Sequence, residues 1–268
     1  MHLVMNRAVR LLMCIAFALS SLLWGDVRWA AAQEAIAAGI AENLAAGRSP
    51  TDFSSRLRVR TGYLSLPGDR WLASTRISGT YAPHPSFALR LQLPLVYADP
   101  GMSSGEFGTS DLSARVVWRA SSHPRVATFV GLEFFFPTAS DPILGTEKYS
   151  IAPIAAAFIQ LFDNVFFIPV YQQLISFAGN DQRADLNILR IRPIVLVQLP
   201  RRWWALLDPG FLWDLEDDLP TRDTMTIGLE IGRQLTDEFA LSGKPSVQVY
   251  GTEDFAWAFE LSLTYRFD

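Results

Sequence analysis

From Asp254 to Phe267 the chain alternates without a break between large apolar residues and small or polar ones. Phe255, Trp257, Phe259, Leu261, Leu263, Tyr265 and Phe267 share one face, and Ala256, Ala258, Glu260, Ser262, Thr264 and Arg266 share the other. A period of two places the two sets on opposite sides of a β-strand. Soluble strands average about five or six residues, so a competing reading as an amphipathic strand of a soluble sandwich fits the length poorly. The pattern predicts the last strand of a bacterial outer-membrane β-barrel, with lipid on the apolar side and a polar lumen on the other. Asp268 follows the aromatic residue on which such barrels commonly end.

The N-terminus predicts export. Arg7 and Arg10 precede the apolar run from Leu11 to Gly25, and Ala30-Ala31-Ala32 stands before Gln33. A basic region, an apolar core and a small-residue cleavage site make residues 1–32 an expected signal peptide. The run is too short for a transmembrane helix, which needs about 18–20 apolar residues. Met13 before Cys14 argues against a lipoprotein, and with Cys14 removed no cysteine remains for a disulfide. Loss of Arg7, Arg10, Arg28 and Asp26 moves the net charge from −4 to −6. A mildly acidic chain gives no support for nucleic-acid binding.

After residue 32 no apolar stretch approaches a transmembrane helix, although half of all residues are hydrophobic. One helical pattern stands out, Glu34 to Ala46, with Ile36, Ile40 and Leu44 spaced by four, Gly47 as a cap and Pro50 beyond. At about 13 residues it would be marginal in water, so the expectation is docking inside the barrel or at its periplasmic mouth, against a frayed arm. Beyond it lie twelve strand candidates, at about 55–65, 70–81, 86–97, 109–120, 125–136, 148–161, 164–176, 185–198, 203–214, 223–234, 238–250 and 254–267. Their connections alternate. Ala82 to Pro85, Ser121 to Pro124, Phe162-Asp163, Leu199 to Arg202 and Thr236-Asp237 are short; Asp99 to Gly108, Pro137 to Glu147, Phe177 to Ala184 and Leu215 to Arg222 are long. Up-and-down membrane barrels keep periplasmic turns short while surface loops grow. The expected fold is therefore all-β, a closed antiparallel transmembrane barrel of about twelve strands over residues 51–268, with residues 33–50 as a helical N-terminal segment.

Parity assigns the faces. Phe87, Leu89, Leu91, Leu93, Leu95 and Tyr97 point outward, as do Trp203, Leu207, Phe211 and Trp213. Trp118, Trp203, Trp213, Tyr97 and Phe136 fall at strand ends, where aromatic girdles sit at lipid–water interfaces. The same parity points Arg58, Arg60, Arg76, Arg90, Arg115, Arg119, Arg190, Arg192, Lys244 and Arg266 inward, together with Glu133, Asp208, Asp214, Glu230 and Glu260. Two readings of these candidate lumen-lining charges stay open. They pair across a narrow lumen and hold it together, or a basic wall faces an acidic one across a water-filled constriction that selects solutes. At 164–176 both faces are apolar apart from Gln172 and Gln173, so pattern leaves its register undetermined. Such a strand would pack on an internal plug or line a greasy path.

Gly108-Thr109-Ser110-Asp111-Leu112-Ser113-Ala114-Arg115-Val116-Val117-Trp118-Arg119 resembles the Gly-x-x-Asp-Leu strand opening of a proteobacterial barrel family. That family is named for outer-membrane proteins encoded with meta-pathway phenol degradation. Phe136-Pro137-Thr138-Ala139 resembles the Leu-Pro-Thr-Gly that closes the next strand there, and Leu261 to Phe267 also fits. The resemblance implies a channel for small, often aromatic, compounds and transfers no site residue. Enzyme chemistry finds little footing. His84 and His123 fall in short turns without a Ser/Asp constellation, and no phosphate loop or metal-ligand spacing appears. No catalytic, cofactor or metal residue is expected. The favoured function is passive passage of small, aromatic or otherwise apolar, solutes. The alternative is a non-conducting structural or surface-binding barrel. The expected partners are outer-membrane lipid and lipopolysaccharide, the barrel assembly machinery and an unnamed solute.

Overall fold

The computed structural model describes residues 37–68, 70–99, 105–216, 223–251 and 255–267. The expected signal segment, residues 1–32, and the start of the expected helical segment lie outside them. A helix, α1, covers residues 37–45. The strands are β1 (Arg56–Ser65), β2 (Trp71–His84), β3 (Phe87–Asp99), β4 (Glu106–Thr109), β5 (Leu112–His123), β6 (Val126–Phe136) and β7 (Lys148–Phe162). They continue with β8 (Val165–Gly179), β9 (Asn187–Leu199), β10 (Trp203–Asp214), β11 (Thr224–Gln234), β12 (Phe239–Tyr250) and β13 (Trp257–Arg266).

Twelve of these close into one antiparallel barrel, and β4 pairs with β3 outside the ring. The seam is β1, where Val59 stands opposite Ile77 of β2 on one side and Leu263 of β13 on the other. Closure rests on period-two alternation around the ring. Leu263 is 45% exposed while its neighbour Ser262 is 6% exposed, and the same contrast recurs around the wall. Outward Leu91, Leu207, Ile231, Leu241 and Leu261 form an exposed apolar surface far beyond what a soluble monomer tolerates. At the long-loop end Trp257, Tyr63, Trp71 and Tyr97 lie in a row, with ring centroids 5.2, 5.7 and 5.0 Å apart. At the short-turn end Arg233 lies 5.4 Å from the Trp203 ring. The expected strands agree with these to within a few residues.

The expected strand 109–120 differs, because it breaks at Ser110-Asp111 between β4 and β5. The Asp111 carboxylate turns inward and accepts from Ala139 N (3.2 Å), Thr146 N (2.9 Å) and Thr146 Oγ1 (2.7 Å). Ser110 Oγ donates to Leu144 O at 2.7 Å, and Leu112 N donates to Thr138 Oγ1 at 2.9 Å. The two short motifs of the sequence thus bond to each other. Asp111 leaves the ladder in order to satisfy the backbone of the 137–147 loop, and Thr138 caps the strand that resumes.

The helix ends at residue 45, one short of the expected Ala46, at the expected Gly47 cap. Gly47 adopts φ +70°, Gly47 N donates to Leu44 O, and Arg48 N donates to Asn43 O at 2.8 Å. This is a Schellman ending, which needs a left-handed residue where a side chain would be strained. Ala37, Ala38, Ile40, Ala41, Glu42, Asn43 and Ala45 are all buried, so α1 is enclosed on every side.

Two outcomes test this architecture. Leu263→Arg on the lipid face should cost roughly 2–4 kcal/mol near the bilayer midplane and less toward the interface, and reduce the heat-modifiable folded band on gels, while Leu263→Ile should not. Asp111→Ala removes three hydrogen bonds from a charged acceptor, each worth about 1.5–3 kcal/mol. Limited proteolysis should then cut within residues 137–147 while the barrel band persists; unchanged resistance would refute the clamp.

Candidate functional site

The inside of the barrel holds the charges that alternation assigned there. Arg58, Arg60, Arg76, Arg115, Glu133, Arg190, Arg192, Asp208, Asp214, Glu230, Lys244 and Arg266 are all buried, and Arg90 is half-buried. Glu260 is half-buried between β12 and β1. Arg119 sits at the short-turn end, where it pairs with Asp52 and donates to Ser86 Oγ at 2.9 Å.

These groups are arranged less as two facing walls than as carboxylates shared between cations. Asp208 accepts from Arg192 Nε at 2.7 Å and from Lys244 Nζ at 2.5 Å. Glu260 is paired with Arg76 and stands 3.8 Å from Arg60. Arg115 donates to Glu133 at 2.9 Å, and the fully buried Gln172 approaches the same oxygen at 3.5 Å. An ion taken out of water costs several kcal/mol unless it is paired and hydrogen-bonded. The sharing limits that penalty and cross-links β1, β2, β9, β10, β12 and β13 from within.

The third shared carboxylate belongs to α1. Glu42 is 4% exposed and accepts from Arg56 at 3.1 Å, Arg58 at 2.6 Å and Thr264 Oγ1 at 2.9 Å. Asn43 beside it accepts from Arg266 at 3.0 Å and donates to Asp52 O at 2.7 Å. The opposite side of the helix, Ala37, Ile40, Ala41 and Ala45, packs on an apolar wall that includes Phe129, Ile154, Phe158, Phe166, Ile168, Ile194 and Leu196. The ambiguous strand is thereby explained. β8 is apolar on both faces because lipid covers one while Phe166, Ile168 and Val170 meet the helix cluster on the other. The apolar wall narrows further at Trp204, whose Nε1 donates to Glu230 at 3.3 Å. Its ring occupies the space a side chain at Gly232 would need, since a Cβ there would come within 2.1 Å.

Glu42, Asn43, Arg56, Lys148, Gln172 and Trp204 are inner groups that alternation did not single out. Arg56 and Trp204 come from parity extended by one step. Glu42 and Asn43 had no such signal, because the apolar spacing of the helix says which face is greasy and nothing about what its polar face meets. Among the described residues no cluster of His, Cys, Asp and Glu is placed to hold a metal ion.

Replacing Glu42 by Gln would leave Arg56 and Arg58 buried without their shared carboxylate. Breaking a buried pair in this way costs about 3–5 kcal/mol, and the loss should fall on helix docking before the barrel. Protease cleavage between residues 37 and 53 should rise sharply while the heat-modifiable band remains. Equal resistance of wild type and Glu42→Gln would show that the apolar side alone seats the helix.

No family model matches this chain, and no curated protein matches it by sequence. Solved structures do match in fold. An outer-membrane channel from Pseudomonas putida F1 aligns with TM-score 0.58 at 13% identity, over 81% of this chain and 98% of that one. The NanC porin aligns with TM-score 0.57 at 11% identity, over 79% and 99%. The translocator domain of the autotransporter NalP from Neisseria meningitidis aligns with TM-score 0.55 at 12% identity, over 94% and 99%. At these identities the likeness establishes the architecture that this chain shares with them, a closed antiparallel barrel of the outer-membrane type.

Proposed function

We propose that this chain is an outer-membrane channel for small solutes whose resting state is closed at the short-turn end by α1. The observation that carries the reading is a separate helix seated in the lumen and ending in a Gly47 cap. A small barrel fills its interior with its own side chains, whereas sixteen-stranded porins leave an aqueous passage; twelve strands lie between. Here α1 takes up part of the space left over, and residues 46–55 lead from it into β1. The resemblance of Gly108–Arg119 and Phe136–Ala139 to the phenol-degradation barrels supports small, aromatic or otherwise apolar, solutes. Lipid and lipopolysaccharide around the aromatic rows, and the barrel assembly machinery acting on β13, are the partners this reading implies.

A second reading rests on a different observation. Arg192, Asp208 and Glu230 are each no more than 3% exposed, so water hardly reaches mid-lumen. A barrel stapled shut by shared carboxylates would be structural and would not conduct.

Planar-bilayer recording separates the two. The channel reading expects small or intermittent conductance from the intact protein and a severalfold larger, steady conductance after deletion of residues 33–46. Joint neutralisation of Arg190 and Arg192 should then shift ion selectivity toward cations. Silence from both the intact and the deleted protein, each folded by gel, would overturn the channel and leave the stapled barrel.

A further inference from the structure

Among the described strand residues that parity turns outward, Arg233 of β11 is the one cation. It is exposed, and it follows Ile227, Leu229 and Ile231 on the same face. A charge on that face is costly at the bilayer midplane and tolerated only near an interface. Arg233 lies at the short-turn end, opposite Trp203 of β10, with its guanidinium 5.4 Å from the Trp203 ring centroid. Phe239, Tyr265 and Phe267 carry an aromatic belt along the same end, with centroids 4.9 and 6.0 Å apart. Short turns of such barrels face the periplasm, so this belt sits at the headgroups of the periplasm-facing leaflet.

The two turns beside Arg233 are built as one. Gln234 is buried; its backbone N donates to Arg202 O at 3.0 Å, and its side chain donates to Thr236 O at 2.8 Å. Arg202 pairs with Asp237 at 2.8 Å. In the β9–β10 turn Arg201 and Arg202 adopt φ +59° and +66°. Two-residue hairpins of this hand favour Asn-Gly, because a longer side chain is strained there. Here two exposed arginines occupy the turn, and backbone strain of this kind is found where a site needs it.

Charge decides what the site takes. In these two turns and their flanking strand ends Arg201, Arg202 and Arg233 meet two carboxylates, Asp237 and Glu238. Asp237 is taken by Arg202, and Glu238 accepts from Thr236 Oγ1 at 3.0 Å. One positive charge is left over. A lipid headgroup with a single negative charge balances it, whereas a zwitterionic headgroup brings as much positive charge as negative. The guanidinium fork matches a phosphate.

We propose that Arg233 and Arg201 bind the phosphate of an anionic phospholipid, of the phosphatidylglycerol type, in the periplasm-facing leaflet. Trp203 holds the Arg233 guanidinium at the interface, and the acyl chains lie along Ile231 and Leu241, the residue opposite Arg233 on β12. The site depends on insertion of the barrel and not on whether the barrel conducts.

The test is native mass spectrometry of the full chain, folded in detergent micelles and offered phosphatidylglycerol, phosphatidylethanolamine and phosphatidylcholine of identical acyl chains in equal amounts. Phosphatidylglycerol should be retained severalfold over the other two. Arg233→Gln should reduce that preference about fivefold, the contribution of one arginine beside an anionic surface. Arg201→Asn should reduce it as well. Asparagine tolerates the left-handed turn, so this variant keeps its heat-modifiable band even where Arg233→Gln loses it. Arg125→Gln, which removes an exposed arginine from the β5–β6 turn, should leave the preference unchanged. Glycerol phosphate, a headgroup without chains, should not displace the lipid at equal concentration. Equal retention of the three lipids by the folded wild type would overturn the proposal, as would an unchanged preference in folded Arg201→Asn. A loss in Arg125→Gln as large as in Arg233→Gln would reveal general surface basicity, and displacement by glycerol phosphate a site for soluble phosphate; either sinks the lipid site. Lipid preference is read without current, so a silent barrel leaves this site intact.

Discussion

Hydrocarbon offers a peptide group nothing to bond with, and the seam between β1 and β13 is where this chain meets that constraint. Ten residues of β1 pair in register with ten of β13, from Arg56 opposite Arg266 to Ser65 opposite Trp257. Without that pairing two edges would face lipid, each unsatisfied group costing several kcal/mol. With it, each strand of the ring has two neighbours and the outside is free to be wholly apolar. The cost of closure appears on the inside. Side chains that alternate away from lipid are gathered into a narrow space, and among the described residues ten long cations are buried there.

Confinement then dictates how the interior is organised. Cations that would be solvated on a soluble surface have to find partners in the lumen, and carboxylates are in shorter supply. Glu42, Asp208 and Glu260 each serve two bases. The helix takes part on equal terms with the strands. Its apolar side completes a core with Phe129, Phe158 and Phe166, while its buried acid draws together Arg56, Arg58 and Thr264 at the β1–β13 seam. Docking of the helix and consolidation of the seam are therefore the same event on that side of the barrel, and movement of the helix would expose both a greasy wall and a basic one.

Strand positions and inward residues were legible because a two-residue period is a local property, readable wherever lipid and lumen demand different chemistry. Leu57 to Tyr63 and Phe255 to Phe267 need no tertiary information to be assigned. Legibility failed where the two environments stopped differing. On β8, lipid and the docked helix are both apolar, so Phe166 and Phe167 look alike in sequence and only packing distinguishes them. It failed again at Ser110-Asp111, where a strand that alternates well is interrupted because the carboxylate is used by Thr146, 35 residues away. The helix itself was foreseeable from Ile36, Ile40, Leu44 and Gly47, and its place inside the barrel remained one of three options until the wall around it existed.

By itself the sequence determined that the chain crosses a membrane as strands, which side chains meet lipid, and where turns are short or long. Each of these depends on neighbours within a few residues. Tertiary structure decided which cation pairs with which acid, and that the lumen is occupied by the chain's own helix. Those contacts join residues as far apart as Glu42 and Thr264, 222 positions along the chain, and a closed ring brings them together only once its last strand has found its first.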